Sequence, residues 1–297
     1  MLWLSLMLCG CVTSHDADPP VMHKVAVNSA EISYVENGKG ETVVFLHGVG
    51  TDLRIWDHVR PYFAGRYRFV AYSRRFHSPN AWPADDGASY TIRQHAEDLA
   101  ALINVLDVKK AHVVSTSIGG RVAVELAFTH PELVASVVVG DAYITVEVPP
   151  QDEEALTAFG RRFAPVAAAI QSGNQSDAAT QLVGWLFEND SAWAELPDDH
   201  KMYYSDNAKT LHLTLRDRTI GERPDCTAIG RIQVPVLVLD GRNTPAAFRV
   251  TNDSFYRCLP ATAQRVSVPH SMHAWYVDNP RDGSLAILRF LARHPIQ

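Results

Sequence analysis

A serine in the segment STSIGG, at residues 115–120, has the surroundings of a catalytic nucleophile. The residues before it predict a strand and those after it a helix, so Ser117 lies at the sharp turn between the two. Such a turn strains the central residue and exposes its hydroxyl, and the new helix N-terminus stabilises negative charge. Strand and helix come close there, so the neighbours must be small. Gly119 meets this need, whereas Ser115 stands where glycine is usual; an ordinary Ser/Thr-rich turn is the alternative interpretation.

The segment HGVG, at residues 47–50, could supply backbone donors for this chemistry. A glycine-rich turn directly after an apolar strand leaves N–H groups free to point into a site. We expect the N–H groups of Val49 and Ile118 to form an oxyanion hole, in which fixed donors stabilise developing negative charge. A phosphate-binding loop is the alternative, but no Gly-Lys-Ser or Gly-Lys-Thr follows.

Two histidines, His270 and His273, follow the last predicted strand. A serine hydroxyl needs a neighbouring base to become nucleophilic, and histidine is the usual one. A pair of histidines three residues apart could also bind a metal, but no third or fourth ligand lies at a suggestive spacing. The sequence therefore predicts a base here, with no metal and no cofactor.

Strands and helices that would position these segments alternate along the chain. Apolar runs predict strands at 23–28, 31–35, 42–46, 68–73, 111–115, 133–140, 234–239 and 265–268. Periodicity and composition predict helices at 91–106, 118–130 and 283–293. The alternation indicates a mostly parallel sheet covered on both faces, formed by residues 21–142 and 231–297. Residues 143–230 interrupt it with predicted helices at 152–171, 177–188 and 191–217, which we interpret as an inserted helical cap.

The chain resembles the α/β-hydrolase superfamily over about residues 23–295. The matching segments are HGVG at 47–50, YSRRFHSPN at 72–80, STSIGG at 115–120 and HAWYVDNP at 273–280. It is most similar to the lidded, esterase- and lactonase-like bacterial branch, where the catalytic histidine lies seven residues before a proline. The resemblance implies His273 as the base, a structural role for the loop at 72–80, and an eight-stranded, mostly parallel sheet flanked by helices.

The acid that would orient His273 has two candidates. Superfamily members usually carry it as G-x-x-D after a late strand, and Thr244 stands at that position here. Threonine cannot stabilise an imidazolium by charge. Asp141 follows the predicted strand at 133–140, where certain dehalogenases carry their acid, and Asp240 stands at the end of the strand at 234–239. We favour Asp141 and keep Asp240 as the alternative; either carboxylate could instead bond loop N–H groups or cap a helix.

The resemblance implies a serine hydrolase that cleaves a carboxylic ester of a small, apolar substrate through an acyl-enzyme. Ser117 would be the nucleophile, His273 the base and Asp141 the acid. A lactonase or C–C bond hydrolase of aromatic catabolism is one alternative, and a non-catalytic binding protein on the same fold is another. Serine at position 117 argues against dehalogenase or epoxide-hydrolase chemistry, which needs a carboxylate nucleophile.

Residues 1–20 differ from the rest of the chain. The apolar run at 2–8 is too short to span a bilayer, which takes about 20 residues. Together with LCGC at 8–11 it resembles a bacterial lipoprotein signal, in which Cys11 would be lipidated and the following polar residues would form a tether. This predicts export and membrane attachment in the periplasm. A mis-assigned start or a frayed apolar tail, and a cytoplasmic protein, is the alternative.

Charge and cysteine content exclude some classes of protein. The chain of 297 residues has 27 Lys and Arg against 33 Asp and Glu, a net charge of −6 that gives no footprint for nucleic acid. Four cysteines are too few for a disulfide scaffold. Two belong to the predicted signal, and Cys226 and Cys258 could pair in an oxidising compartment. A small-molecule ester or lactone is the predicted partner, and the oligomeric state stays open.

Overall fold

A computed structural model describes residues 20–83, 88–217, 219 and 222–296 of the chain. The predicted lipoprotein signal, with Cys11, lies outside the described residues. The strands are β1 (Met22–Val27), β2 (Ala30–Asn37), β3 (Thr42–Leu46), β4 (Arg68–Tyr72), β5 (Ala111–Thr116), β6 (Val134–Gly140), β7 (Val236–Gly241) and β8 (Gln264–Val268).

These strands form one eight-stranded sheet in the order β1-β2-β4-β3-β5-β6-β7-β8. The β1–β2 and β2–β4 pairs are antiparallel, and all the other pairs are parallel. The predicted fold class, a mostly parallel sheet flanked by helices, is therefore confirmed. Because the strands from β3 to β8 run the same way, the loops after β3, β5, β6, β7 and β8 meet at one edge of the sheet.

The described helices are α1 (Arg60–Phe63), α2 (Ile92–Val105), α3 (Ile118–Thr129), α4 (Glu153–Arg161), α5 (Ala164–Gln171), α6 (Gln175–Leu186), α7 (Ala192–Glu195), α8 (Asp198–Asn207), α9 (Leu211–Arg216), α10 (Cys226–Ile229), α11 (Ala246–Cys258), α12 (Trp275–Asp278) and α13 (Pro280–Leu291). Helices α4 to α10 lie between β6 and β7, and we call α4 to α9 the helical insertion. It falls where the sequence predicts a cap, whose exact boundaries stay a prediction.

Side chains on the two faces of the sheet enter two separate cores. Val44 and Leu46 of β3 pack with α2 and α3, whereas Val43 and Phe45 of the same strand pack with α1 and α13. Each buried strand therefore needs apolar residues at consecutive positions rather than alternate ones. This requirement explains why the central strands could be recognised as continuous apolar runs.

Prolines divide two of the predicted helices of the insertion. The predicted helix at 152–171 is two helices, and Pro165 occupies the first turn of α5, where its missing N–H costs no hydrogen bond. The predicted helix at 191–217 is interrupted by Pro197, which directly precedes α8. Proline cannot continue a helix because it lacks the amide donor and clashes with the preceding turn. Helices α1, α10, α11 and α12 have no counterpart among the predicted elements.

A disulfide joins α10, which precedes β7 in the chain, to α11, which follows it. Cys226 is the first residue of α10 and Cys258 the last of α11, and their sulfur atoms are bonded. Across the described ranges, no helix has the length and apolar character that a membrane span requires.

Candidate active site

Ser117 lies in the turn between β5 and α3, at the edge of the sheet where the strand ends meet. Its backbone has φ 55° and ψ −131°, which is rare for a residue with a side chain. The Ser117 N–H donates to the Gly140 carbonyl at 2.8 Å, so the turn is attached to the end of β6. The strained conformation that the sequence predicts at the nucleophile is therefore present in the structure.

Close packing around the turn explains its small residues. A Cβ at Gly119 would lie 2.7 Å from the carbonyl oxygen of His47, and one at Gly120 would lie 2.4 Å from Cβ of Ala142. Ser115, which replaces the usual glycine, is fully buried and its hydroxyl donates to the Val138 carbonyl at 2.6 Å. The departure from the usual pattern is thus accommodated without an unsatisfied polar group.

An apolar cavity of about 310 Å³ opens at Ser117, between the sheet edge and the helical insertion. Val49 and Ile118 lie in its wall together with aromatic and aliphatic residues, which include Tyr143, Phe159, Phe163, Leu182, Trp185, Leu211 and Phe248. The Phe159 and Trp185 rings stack at 4.2 Å between centroids. A larger groove of about 530 Å³ lies between Trp82, Asn174 and His212, but no candidate catalytic residue lines it.

Two buried side chains fix the conformation of the HGVG loop through hydrogen bonds. Nε2 of His47 accepts the Arg74 N–H at 2.9 Å, so the ring proton is on Nδ1, which donates to the Gly48 carbonyl at 2.9 Å. Nη2 of Arg74 donates to the same carbonyl at 2.8 Å. In a trans peptide the carbonyl and the next N–H point in opposite directions. Because the Gly48 carbonyl is fixed toward His47 and Arg74, the Val49 N–H points away from these two side chains. Val49 lies in the wall of the cavity.

Arg74 is 1 % exposed, and no ion pair joins it to a carboxylate of the described residues. Its Nη1 donates to Nε2 of His95 at 3.1 Å. The neighbouring Arg75, by contrast, pairs with the buried carboxylate of Asp98 at 2.5 Å. Burial and the Arg74 charge hold the pKa of His95, His47 and His77 well below the usual value, so these imidazoles are neutral.

His273 lies beside the cavity, and its ring packs against Phe248 of the cavity wall at 4.0 Å between centroids. The side chain is buried, and Nδ1 has no hydrogen-bond partner among the described residues. Burial lowers the pKa of His273 to about 3. The imidazole is therefore neutral and able to accept a proton, although a carboxylate at Nδ1 would raise the pKa and make it a stronger base.

Asp141 follows β6 and is fully buried. Its carboxylate accepts the Gly241 N–H at 3.1 Å and the Asn252 side-chain amide at 2.7 Å. Burial raises the pKa of Asp141 well above its usual value, while these two hydrogen bonds oppose the shift. In contrast, the Asp240 carboxylate forms an ion pair with Arg265 of β8.

The structure places several of the predicted site residues at one cavity but does not join all of them by hydrogen bonds. Ser117, Val49 and Ile118 share one cavity wall, and His273 touches that wall through Phe248. Within the described part of the chain, no hydrogen bond links His273 to Ser117 or to Asp141. The roles of all five predicted residues therefore stay predictions.

Two residues of α11 that contact candidate site residues were not predicted from the sequence. Asn252 binds the Asp141 carboxylate, and Phe248 packs against His273. A signal for this helix was present, because Ala247, Phe248, Thr251, Phe255 and Cys258 recur at helical spacing and are all buried. Nothing in the sequence indicated that Arg74 would be buried without a carboxylate partner among the described residues.

Comparison with known proteins agrees with this fold. The sequence model of the family described as "Alpha/beta hydrolase family" matches residues 43–284. A fluoroacetate dehalogenase of Burkholderia sp is 33% identical over 119 residues, which cover 39% of this chain and 39% of that protein. The matched stretch thus spans well under half of this curated relative.

Solved structures resemble the chain over more of its length. The enol-lactonase from Burkholderia xenovorans LB400 superimposes with a TM-score of 0.74 at 20% identity, over 91% of this chain and 100% of that chain. The carboxylesterase CesB from Bacillus subtilis gives a TM-score of 0.70 at 18% identity, over 93% and 92% of the two chains. At such identities the likeness concerns the fold.

Proposed function

The chain belongs to the alpha/beta hydrolase family, and from this premise we propose that it is a serine hydrolase that cleaves a carboxylic ester of a small, apolar substrate. The observation that carries the proposal is the strained Ser117, 6 % exposed, in the wall of the apolar cavity. Strain at a residue that faces a cavity is typical of a functional group rather than of a structural turn. A hydrolytic role is also the common property of the family.

In the proposed reaction, Ser117 Oγ attacks the ester carbonyl carbon while His273 takes the hydroxyl proton. The tetrahedral intermediate collapses when His273 returns this proton to the leaving alcohol, and Ser117 keeps the acyl group. Water, deprotonated by His273, then attacks the acyl carbon, and His273 returns the proton to Ser117 Oγ as the bond to the acyl group breaks and the carboxylic acid leaves. The apolar wall of the cavity suits an apolar acyl or alkyl group.

Asp141 fits the role of the acid better than Asp240. Arg265 already neutralises the Asp240 carboxylate, so its charge is not available to stabilise an imidazolium. The donors that bind Asp141, the Gly241 N–H and the Asn252 amide, are neutral. Buried without a cation, Asp141 gains most from a protonated His273, and a rotation of the His273 ring that brings Nδ1 to it would complete the triad.

Arg74 and His47 support the proposed oxyanion hole. They fix the Gly48 carbonyl and thereby aim the Val49 N–H, while the N–H of Ile118, the first residue of α3, has no hydrogen-bond partner among the described residues. The Arg74 charge lies behind this peptide and is not balanced by a carboxylate of the described chain. Negative charge that develops on the substrate oxygen would be stabilised by both effects.

The serine at position 117 argues against dehalogenation, the reaction for which one curated relative is named. Displacing a halide from carbon needs a carboxylate nucleophile. A lactone would use the same residues as an ester. A panel of p-nitrophenyl esters of increasing chain length, beside lactones and vinylogous diketones, would separate an esterase from a lactonase or a C–C bond hydrolase.

The decisive variant is Ser117→Ala, with Ser115→Ala as the matched control in the same turn. We expect Ser117→Ala to reduce the hydrolysis of short p-nitrophenyl esters by at least about 10³-fold, because the nucleophile is lost. The control should keep most of its activity, since the Val138 carbonyl is the one partner of the Ser115 hydroxyl in the described part of the chain. Full activity of Ser117→Ala would refute the proposal, and failure of the folded protein to react with a fluorophosphonate probe would favour a non-catalytic binding protein.

A further inference from the structure

Three side chains that commonly bind metals converge at a second place, where the helical insertion meets the core. One donor atom from each of His58, Asp199 and His200 lies within 4.8 Å of the other two. His58 precedes α1 in the core, whereas Asp199 and His200 lie in the first turn of α8. The two imidazole rings meet edge to face at 5.8 Å between centroids.

The His200 side chain, which belongs to this cluster, carries an unsatisfied polar atom. The side chain is 5 % exposed, and its Nδ1 is buried with no hydrogen-bond partner among the residues that the structure describes. Leaving a buried polar nitrogen without a partner is unfavourable, so a group that binds it would stabilise the fold. One Asp199 oxygen accepts the backbone N–H of His200 at 2.9 Å, and the carboxylate has further lone pairs for a ligand.

We propose that His58, Asp199 and His200 form a binding site for a divalent transition-metal ion, with Zn²⁺ as the ion that best matches the donors. Two imidazole nitrogens and one carboxylate oxygen are a usual zinc ligand set, whereas Ca²⁺ and Mg²⁺ prefer oxygen alone. Bonds of about 2.1 Å at tetrahedral angles put the ligand atoms about 3.4 Å apart. His58 and Asp199 are exposed, so small rotations of their side chains reach this spacing, and a water takes the fourth position.

A metal ion bound by these three residues would link the helical insertion to the core. Two polar contacts already join the same elements: the Asn207 amide donates to Asp52 at 2.7 Å, and Arg54 pairs with Asp206 at 2.7 Å. The site also adjoins the loop of His273. A small cavity of about 60 Å³ is lined by both His200 and Asp278, and Asp278 accepts the N–H of Met272 at 2.7 Å.

The experiment measures metal binding by tag-free protein that has been treated with EDTA and freed of the chelator. Isothermal titration with ZnCl₂ should show one ion per chain, and Zn²⁺ should raise the thermal unfolding midpoint by several degrees, since an ion that binds only the folded state stabilises it. Ca²⁺ and Mg²⁺ should leave the midpoint unchanged. Because no substrate is present, the result is independent of the proposed ester hydrolysis.

The variant His58→Ala should lower zinc affinity at least 10-fold and abolish the stabilisation by zinc. Its side chain is exposed, so the variant is expected to fold even where His200→Ala does not. His23→Ala, on β1 and outside the cluster, should bind zinc as the original chain does. The proposal is overturned if the original chain binds no Zn²⁺ at 100 µM, or if His58→Ala binds and is stabilised to the same extent.

Discussion

Arg74 is a buried positive charge without a carboxylate partner in the described chain, next to an arginine that has one. Arg75 shows what ordinary burial requires, because two of its three guanidinium nitrogens bind the Asp98 carboxylate. Burying an unpaired charge is costly, so a fold that keeps one must gain elsewhere. At Arg74 the gain lies in the contacts to the HGVG loop, through Gly48, and in a positive potential close to Ser117.

We expect Arg74→Gln to lower kcat for ester hydrolysis by about 10²-fold, the usual effect of losing one oxyanion-hole contribution, with little change in KM. Arg74→Lys should recover part of kcat, because it restores the charge. Affinity for a boronic acid that mimics the tetrahedral intermediate should fall in parallel with kcat. A merely structural Arg74 would instead leave kcat of the folded protein unchanged and lower only the unfolding midpoint, which is the expected behaviour of the control Arg75→Lys.

The two candidate acids can be compared through matched amide variants. Asp141→Asn should reduce kcat by about 10⁴-fold, because the imidazolium of His273 loses its counter-charge. Asp240→Asn removes an ion pair with Arg265 and should reduce stability while largely preserving kcat. Steady-state kinetics of both variants, beside urea unfolding, give the answer; a larger loss of kcat in Asp240→Asn would assign the acid to that residue.

The site could be predicted only as far as local sequence determines it. Ser117, Val49, Ile118 and His273 lie in short segments whose turns follow from neighbouring residues. Asn252 reaches Asp141 across a separation of 111 residues, and that contact depends on how α11 packs beside β7. Pairings of this kind need the tertiary structure, since no pattern within either segment indicates them.

At the scale of elements, the close approach of β3 and α3 is a structural requirement of the proposed site. Gly119→Ala places a Cβ 2.7 Å from the His47 carbonyl and 2.8 Å from the Leu46 carbonyl, both of which are backbone. Alanine normally stabilises a helix by about 1 kcal/mol relative to glycine. Here we expect the opposite, a loss of about 1–3 kcal/mol, because strand and helix must separate.

The matched control for this prediction is Gly160→Ala in α4. A Cβ at Gly160 would meet no atom within 4 Å, so the ordinary helix propensity should prevail and stability should rise by up to about 1 kcal/mol. Urea unfolding measures both variants. Equal effects of the two substitutions would show that the packing of α3 against β3 tolerates a methyl group.

Sequence patterns identified the sheet more accurately than the insertion, for a physical reason. Strand β3, for example, is buried on both faces, and its apolar run coincides with its boundaries. The helices of the insertion are short and bury only the side that faces inward, so helix propensity has little influence on where they begin and end. Prolines such as Pro165 and Pro197 set these limits. The lengths of the helices around the cavity, and hence the substrate, depend on such local interruptions.

At the scale of the whole molecule, buried histidines make stability depend on pH. His47, His77 and His95 surround Arg74, and burial lowers the pKa of each well below its usual value; burial lowers the pKa of His273 to about 3. Below about pH 6.5 the unfolded chain binds protons at these positions and the folded chain does not. Stability is therefore complete above pH 6.5 and falls as the pH decreases toward the folded-state values.

Between pH 7.5 and 5.5 these four histidines together favour unfolding, because the unfolded chain takes up protons at positions that stay neutral in the folded chain. Asp141 acts in the opposite direction, because its raised pKa lets the folded chain take up a proton first. Four groups opposed by one lead us to expect a net loss of stability over this range, measured by urea unfolding. His95→Gln should make this loss smaller, by on the order of 1 kcal/mol, because one of the histidines with a lowered pKa is removed. Stability that stays constant or increases over this range would mean that the histidines around Arg74 are protonated in the folded protein.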